Sequence, residues 1–264
     1  MTLPTRTPYP TALTIAGSDS GGGAGIQADL KTFLAHGVFG MSAITAITAQ
    51  NSRGVRRVDP VPPDGLRAQL EAVFDDFPVG AIKLGMLGSA AHVAVVVEVL
   101  SALRDRPPIV VDPVMVASTG HRLLDPDAER IVRDQLIPLA TVATPNLDEA
   151  AVLAGAPGRD AALRWAAGAG VPVLITGGDV VGHQIVDSLV DGRTTRSWSQ
   201  PRLGDRPFHG TGCTLASAIA ARLARGEALG DAVDGAITYV RDRIEAAVRM
   251  GSIGEGNPSL PHGL

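Results

Sequence analysis

The stretch His209-Gly-Thr-Gly-Cys213 leads without a break into Thr214–Arg225, where Leu215, Ile219 and Leu223 recur at helical spacing. A glycine-rich turn therefore runs into a helix N-terminus, where the first backbone N–H groups lack intrahelical partners and the helix dipole is positive. Such an end binds anions, and glycines let the backbone approach the anion closely because they have no Cβ. The stretch predicts a phosphate-transfer centre.

Within this stretch, Gly210, Thr211 and Gly212 form the expected anion site. Cys213, the single cysteine of the chain, lies at the electropositive helix end, where we expect its thiol pKa to be lowered. The alternative is that the loop caps an ordinary core helix and that Cys213 is a buried small hydrophobic residue.

The composition is that of a globular protein. With 264 residues, of which 45% are hydrophobic, the chain can bury one large core. Its net charge of −4 argues against a general nucleic-acid-binding protein. One cysteine excludes an internal disulfide framework and is compatible with a reducing cytosol. No apolar run reaches transmembrane length, so we expect a cytoplasmic protein that is not bound to a membrane.

Short apolar strands alternate with helical segments along the chain. The predicted strands are 12–16, 41–48, 81–84, 109–111, 141–143 and 173–175, followed by a hairpin of 185–190 and 194–198. The predicted helices are 26–36, 66–77, 90–103, 127–136, 147–153, 211–225 and 231–249. This order predicts an α/β fold with a mainly parallel sheet covered on both faces. We expect a single domain over 1–264, with flexible ends at 1–10 and 251–264.

Polar or glycine-rich motifs follow five of these strands, namely Gly17–Gly25, Gln50-Asn51, Asp112, Asn146 and Gly177-Gly178. Ligands of parallel α/β sheets bind at the carboxyl ends of the strands, so these motifs predict one shared site. The first motif does not give G-x-G-x-x-G, and no G-x-x-x-x-G-K-[ST] occurs. Neither a Rossmann dinucleotide site nor a P-loop is therefore expected.

Three polar side chains each allow two interpretations. Asp29 either accepts hydrogen bonds from an amino group of the ligand or complements the dipole of its helix. Asn146 and Glu149 either supply oxygens to Mg²⁺, together with water and substrate phosphates, or form the capping box of a helix.

Taken together, several motifs resemble those of the hydroxymethylpyrimidine/phosphomethylpyrimidine kinases of thiamine synthesis. They are Ala12–Phe33, Thr48-Ala-Gln-Asn51, Gly85-Met-Leu87, Val111–Ala117, Thr144-Pro-Asn146 and His209–Thr214. They fall in the family's order and spacing, and they span residues 12 to 248. The resemblance implies a ribokinase-like three-layer α/β/α sandwich and a homodimer. It also implies ATP-dependent phosphorylation of 4-amino-5-hydroxymethyl-2-methylpyrimidine to the monophosphate and then to the pyrophosphate.

The resemblance also implies roles for individual residues. Asp29 and Gln50 are expected to bind the aminopyrimidine, in a pocket shaped by Gly17, Ala24, Met86 and Val114. Phosphate and ATP contacts are expected from Asp112, Asn146, Thr176, Gly178 and His209, with Glu149 and Asp112 holding Mg²⁺. Gly210, Thr211 and Gly212 match the anion hole, and Cys213 stands where sugar-kinase relatives carry a catalytic aspartate.

The chain departs from the family pattern at two places, Ser118-Thr-Gly120 and Thr176-Gly-Gly-Asp179, where the family often has a lysine. Compensating positive charge is expected from Lys83, His121, Arg122 or Arg206, unless backbone amides and Mg²⁺ hold the nucleotide. Two other functions stay open at this point. One is a pyridoxal or pyridoxamine kinase of the same fold, and the other is a catalytically weak sensor that binds vitamin precursors.

Overall fold

The computed structural model describes residues 9–116, 120–177, 184–204, 206–251 and 253–263. Its strands are β1 (Thr11–Ala16), β2 (Phe39–Ile44), β3 (Ala46–Asn51), β4 (Gly54–Pro60), β5 (Ala81–Leu84), β6 (Ile109–Val111), β7 (Val142–Ala143), β8 (Val173–Ile175), β9 (Gln184–Asp191) and β10 (Thr194–Pro201). Its α-helices are α1 (Gly25–Ala35), α2 (Pro63–Asp76), α3 (Ala90–Ala102), α4 (Pro126–Ile131), α5 (Leu147–Ala154), α6 (Arg159–Gly168), α7 (Thr211–Ala224) and α8 (Leu229–Met250). After α4 the chain continues as a π-helical turn over Val132–Leu136 and a 3-10 turn over Ile137–Leu139.

Eight strands form one sheet in the order β10-β9-β8-β7-β6-β5-β1-β2. The six strands from β8 to β2 in this order are parallel, whereas β9 and β10 form an antiparallel hairpin at one edge. The mainly parallel sheet and its terminal hairpin therefore agree with the sequence prediction.

Helices cover both faces of the sheet because alternate side chains of each apolar strand point to opposite sides. On one face Leu13 and Ile15 of β1 pack in a core with residues from α2 to α6. On the other face Ala12 of β1 and Val110 of β6 pack against α1, α7 and α8. The three layers bring the N-terminus of α7 to the carboxyl edge of the sheet. Among the helices described, none combines the length and the apolar character needed to cross a bilayer.

The strand predicted over 41–48 is two strands, β2 and β3, which separate at Thr45. The Thr45 N–H donates to the Ala16 carbonyl at 3.0 Å, and its hydroxyl donates to the Met86 carbonyl at 2.7 Å. Beyond this anchor the chain leaves the main sheet, and β3 pairs antiparallel with β4 in a separate two-stranded sheet. Gln50 and Asn51 therefore end a strand rather than form a turn.

The C-terminal segment differs from the flexible end that its composition predicts. In the described part of this segment, 253–263, Leu260 and His262 are buried. The Tyr239 hydroxyl of α8 donates to the His262 carbonyl at 2.7 Å. The segment packs because it carries apolar and ring side chains that a glycine and proline count does not reveal.

Candidate active site

The carboxyl ends of the parallel strands surround one cavity. Most of the predicted site residues line it, namely Gly17, Ala24, Gln50, Met86, Asp112, Val114, Asn146, Glu149, Thr176, His209, Gly210, Thr211, Gly212 and Cys213. Asp29 does not line it, and Gly178 lies outside the described residues. The motifs at the strand ends therefore come together around one cavity, as the sequence predicts. We call this space the acceptor cavity.

Two glycine-rich loops, 17–25 and 209–213, meet at the N-terminus of α7. Gly210 is the N-cap of α7 and has φ of 80°, and a Cβ at this position would collide with the carbonyl oxygen of Gly23. Among the residues that the structure describes, no side chain caps this helix end. The N–H groups of the first turn therefore face the cavity, as an anion site requires.

Asp19 organises the first glycine loop, and the sequence analysis did not single it out. Its carboxylate accepts the N–H groups of Gly21, Gly23 and Ala24 at 2.8, 3.0 and 2.9 Å. It also accepts the His209 Nε2 proton at 2.8 Å. Burial raises the pKa of Asp19, but the hydrogen bonds from His209 and the loop amides outweigh it and lower the pKa overall. An aspartate followed by glycines is a turn signal that could have revealed this role.

The contacts of His209 do not match the phosphate-binding role expected for it. Its Nε2 atom is committed to Asp19 and lies 3.3 Å from the side-chain nitrogen of Gln50. The residue is buried and lines the acceptor cavity beside Gln50. The His209 ring therefore links the two glycine loops to Gln50, and its Nε2 atom is not available to a phosphate.

Asp29 is enclosed in the core, which contradicts its expected contact with the substrate. Lys83 Nζ lies 3.0 and 2.9 Å from its two carboxylate oxygens, and both side chains are fully buried. The hydroxyl groups of Thr14 and Ser217 donate to the same oxygens at 2.6 and 2.7 Å. Because each oxygen already accepts two donors, Asp29 serves as the counter-ion of Lys83, which lines the cavity in its place.

The expected low pKa of Cys213 is wrong for this structure. Burial raises the pKa of the thiol to about 12, although Lys83 lowers it, and the carboxylates Asp29 and Asp112 raise it further. A helix N-terminus lowers a thiol pKa, but here burial and two nearby acidic groups outweigh that effect. Cys213 is therefore a protonated thiol at neutral pH.

Asn146 and Glu149 form the capping box of α5. The Asn146 Oδ1 atom accepts the Glu149 N–H at 2.9 Å, and Glu149 Oε2 accepts the Asn146 N–H at 2.9 Å. Glu149 Oε1 accepts the Met115 N–H at 3.3 Å. The capping interpretation is thus correct in geometry, while both residues still line the cavity.

Asp112 and Glu149 give the acceptor cavity an acidic wall. Burial raises the pKa of Asp112 to about 6, although Lys83 lowers it. Burial and the neighbouring Asp112 raise the pKa of Glu149 to about 8. Asp112 Oδ2 is buried and has no hydrogen-bond partner among the described residues. Two carboxyl groups, one of which has an unpaired oxygen, favour a cationic or proton-donating group at this wall.

A second cavity adjoins the first on the other side of the α7 N-terminus. The two cavities share Asn146, Thr176, Phe208, Thr211 and Gly212. The second combines apolar side chains with three arginines, and its lining includes Ile185, Leu215, Ile237, Val240, Arg202, Arg206 and Arg241. We call this space the nucleotide cavity.

The four expected compensating cations fall in three different places. Arg206 lines the nucleotide cavity, and Lys83 lines the acceptor cavity. His121 and Arg122 line a third cavity behind Met86. Thr176 lines both main cavities, whereas Ser118 and Asp179 lie outside the described residues. Of these four residues, Lys83 and Arg206 are therefore the ones that line a cavity together with Thr211 and Gly212.

Comparison with known proteins identifies the family. The sequence profile described as phosphomethylpyrimidine kinase matches residues 19–258. The chain belongs to the phosphomethylpyrimidine kinase family. It is 51% identical, over 95% of each chain, to the hydroxymethylpyrimidine/phosphomethylpyrimidine kinase of Streptomyces coelicolor.

Two solved structures are similar to this family member. The phosphomethylpyrimidine kinase of Clostridium difficile is 41% identical, with a TM-score of 0.77 over 89% of this chain and 99% of that chain. The pyridoxal kinase of Staphylococcus aureus, solved with AMP-PCP and pyridoxal, is 34% identical, with a TM-score of 0.87 over 97% and 94%. The expected ribokinase-like fold is confirmed, and the chain is a kinase.

Proposed function

We propose that this kinase transfers the γ-phosphoryl group of ATP to the hydroxymethyl group of 4-amino-5-hydroxymethyl-2-methylpyrimidine. It then phosphorylates the monophosphate to the pyrophosphate, as in thiamine biosynthesis. The observation that carries the proposal is the position of the α7 N-terminus between two cavities, because transfer needs donor and acceptor on either side of one anion site. The names of its relatives support the choice of substrate.

The acceptor cavity suits a flat aminopyrimidine. Gln50 offers an amide that can both donate to and accept from the ring substituents, and Met86 and Val114 supply apolar contacts. A Cβ on Gly17 would collide with the methyl group of Met86, so glycine is needed for Met86 to close this side. These residues are proposed to hold the hydroxymethyl group toward Cys213.

The nucleotide cavity suits ATP. Its apolar side chains, such as Ile237 and Val240, provide a surface for the adenine ring. Arg206 and Arg202 line the same cavity and carry positive charge that would attract the phosphates. The AMP-PCP complex of the Staphylococcus aureus relative supports this assignment.

In the transfer itself, backbone amides carry most of the catalysis. The N–H groups of Thr211, Gly212 and Cys213 stabilise charge on the transferred group, and Lys83 adds a fixed positive charge beside them. A protonated thiol cannot accept the hydroxyl proton, so Cys213 is proposed to shape the space around the acceptor oxygen. The loose transition state of phosphoryl transfer needs little base strength.

Mg²⁺ fits the acidic wall. Asp112, with its unpartnered Oδ2, and Glu149 are the residues proposed to hold it. No cluster of three or more His, Cys, Asp or Glu side chains suited to a metal occurs in the part of the chain that the structure describes. Water and ATP phosphates would therefore complete its coordination, as is usual for Mg²⁺. When bound, the ion neutralises charge on the β- and γ-phosphates.

Pyridoxal is a second candidate acceptor, because a pyridoxal kinase shares 34% identity and the whole fold. The test is a comparison of kcat/KM for hydroxymethylpyrimidine and for pyridoxal with Mg-ATP. The proposal expects the pyrimidine to be preferred. Preference for pyridoxal would indicate a kinase of vitamin B6 metabolism. Binding of either compound without phosphoryl transfer would support a sensor of vitamin precursors.

We also propose a cytoplasmic homodimer, whose mass by light scattering would be twice the 27.1 kDa of one chain.

A further inference from the structure

The C-terminal segment 253–263 lies against the anion loop. The His209 N–H donates to the Pro258 carbonyl at 2.9 Å, and His209 forms a parallel β-bridge with Ser259. A Cβ on Gly23 would lie 2.5 Å from Ser259 Oγ and 2.6 Å from His209 Cδ2. The two glycine loops and the C-terminal segment therefore contact one another at Gly23, His209 and Ser259.

The same segment contacts the turn that follows Gln50. The Asn257 N–H donates to the Ser52 carbonyl at 2.9 Å, and the Gly256 N–H donates to Ser52 Oγ at 3.1 Å. Arg53 and Glu255 form an exposed ion pair beside these bonds. The substrate-binding end of β3 and the anion loop are thus joined through a stretch of chain that follows the last helix.

His262 connects the segment to α7 itself. Its Nε2 atom lies 2.9 Å from Thr214 Oγ1, and this hydroxyl also bonds the carbonyl of Gly210 at 2.8 Å. The Tyr239 hydroxyl holds the His262 carbonyl. Burial and the nearby Lys31 and Arg243 lower the pKa of His262 to about 4. The imidazole is therefore neutral at neutral pH and serves as a hydrogen-bonding group.

We propose that residues 253–263 are a positioning segment of the active site, in which His262 fixes the Gly210–Gly212 loop through Thr214 and Ser52 ties the segment to the substrate-binding strand. The inference rests on the proposed transfer reaction. A loop whose amides must match a transferring phosphoryl group loses rate when it shifts by a fraction of an ångström. His262 and Ser52 are therefore positioning residues that need not touch the substrate.

The test compares His262→Ala with His262→Gln, which keeps a polar group able to reach Thr214. Loss of one hydrogen bond is expected to lower kcat about fivefold to tenfold in His262→Ala, with the KM for the pyrimidine changed less than about twofold. His262→Gln should recover most of kcat. Glu98→Ala is the control, because Glu98 forms an exposed ion pair with Arg67 outside this segment. Its activity should equal that of the wild type, since exposed ion pairs contribute little. Circular dichroism checks that each variant is folded.

A double-mutant cycle with Ser52→Ala tests the connection between the end of β3 and the N-terminus of α7. If the segment couples β3 to the N-terminus of α7, the loss of kcat/KM in the double variant is smaller than the product of the losses in Ser52→Ala and His262→Ala. A loss equal to that product, or a His262→Ala enzyme with wild-type kcat, would overturn the inference.

Calorimetric titration with Mg-ATP separates this inference from the proposed reaction. An inactive wild type would refute the reaction alone. In that case a threefold or greater loss of ATP affinity in His262→Ala, of the size expected for about one hydrogen bond, would still support the positioning role. Unchanged affinity would reject it.

Discussion

Lys83 and Asp29 form a fully buried ion pair at the wall of the acceptor cavity, with Nζ 3.0 and 2.9 Å from the two carboxylate oxygens. Burial lowers the pKa of Lys83, yet Asp29, Cys213 and Asp112 together raise it above its ordinary value. Lys83 therefore stays protonated beside the anion site, with Asp29 as its counter-ion.

Removal of that charge should destabilise the fold. Lys83→Met leaves Asp29 buried without its counter-ion, which costs about 3–5 kcal/mol of unfolding free energy. Urea denaturation measures the loss. Lys31→Met is the matched control, because Lys31 is an exposed lysine, and its effect should stay within about 0.5 kcal/mol. Equal stability of the two variants would contradict the buried-pair interpretation.

The acidic wall predicts a falling stability as pH rises. The pKa of Glu149 is raised to about 8, so the folded protein retains a proton that the unfolded chain has lost. Stability from such a group is complete below the unfolded pKa and disappears as pH rises through the folded pKa. Between pH 6.5 and 8 the free enzyme should lose about 1–2 kcal/mol. Denaturation at both pH values measures this, and Glu149→Gln should abolish most of the slope.

Cys213 is expected to tolerate replacement better than a general base would. Cys213→Ala should lower kcat by about tenfold or less and leave the pH–rate profile unchanged, whereas loss of a general base costs about 10²–10⁴-fold. Steady-state kinetics from pH 6 to 9 provide the measurement. If kcat fell more than 10²-fold and the pH–rate profile lost one of its limbs, Cys213 would be the group that accepts the hydroxyl proton.

Arg206 should matter for the nucleotide and not for the acceptor. Its removal in Arg206→Ala takes a charge from the nucleotide cavity, so the KM for ATP should rise about fivefold to tenfold while the KM for the pyrimidine stays constant. Arg193→Ala, in the exposed turn between β9 and β10, serves as the control. A similar KM for ATP in both variants would contradict a role for Arg206 in binding the phosphates.

Local apolar patterns were sufficient to predict most of the sheet. β5, β6 and β8 were predicted residue for residue, because short fully buried strands are continuous apolar runs. β4 escaped prediction because it forms a two-stranded sheet whose side chains are largely exposed, so it lacks an apolar face. α6 was missed too, since only alanines of this helix are buried.

The site was predicted at the level of segments rather than individual side chains. Strand ends and glycine loops follow from local sequence, so the acceptor cavity was anticipated. The enclosure of Asp29 depends on Lys83, and the loop-organising role of Asp19 depends on His209; both partners are distant in sequence. Likewise, the pKa of Cys213 depends on burial among carboxylates from other strands and helices. Such effects arise only when the chain is folded.

The most direct test of the central claim is ³¹P NMR of the purified protein with Mg-ATP and hydroxymethylpyrimidine. We expect the monophosphate signal first and the pyrophosphate signal afterwards, with ADP formed at each step. Formation of the monophosphate alone would contradict the second transfer. Absence of both products, in a sample that still binds the pyrimidine, would contradict the assignment of this chain as an active pyrimidine kinase.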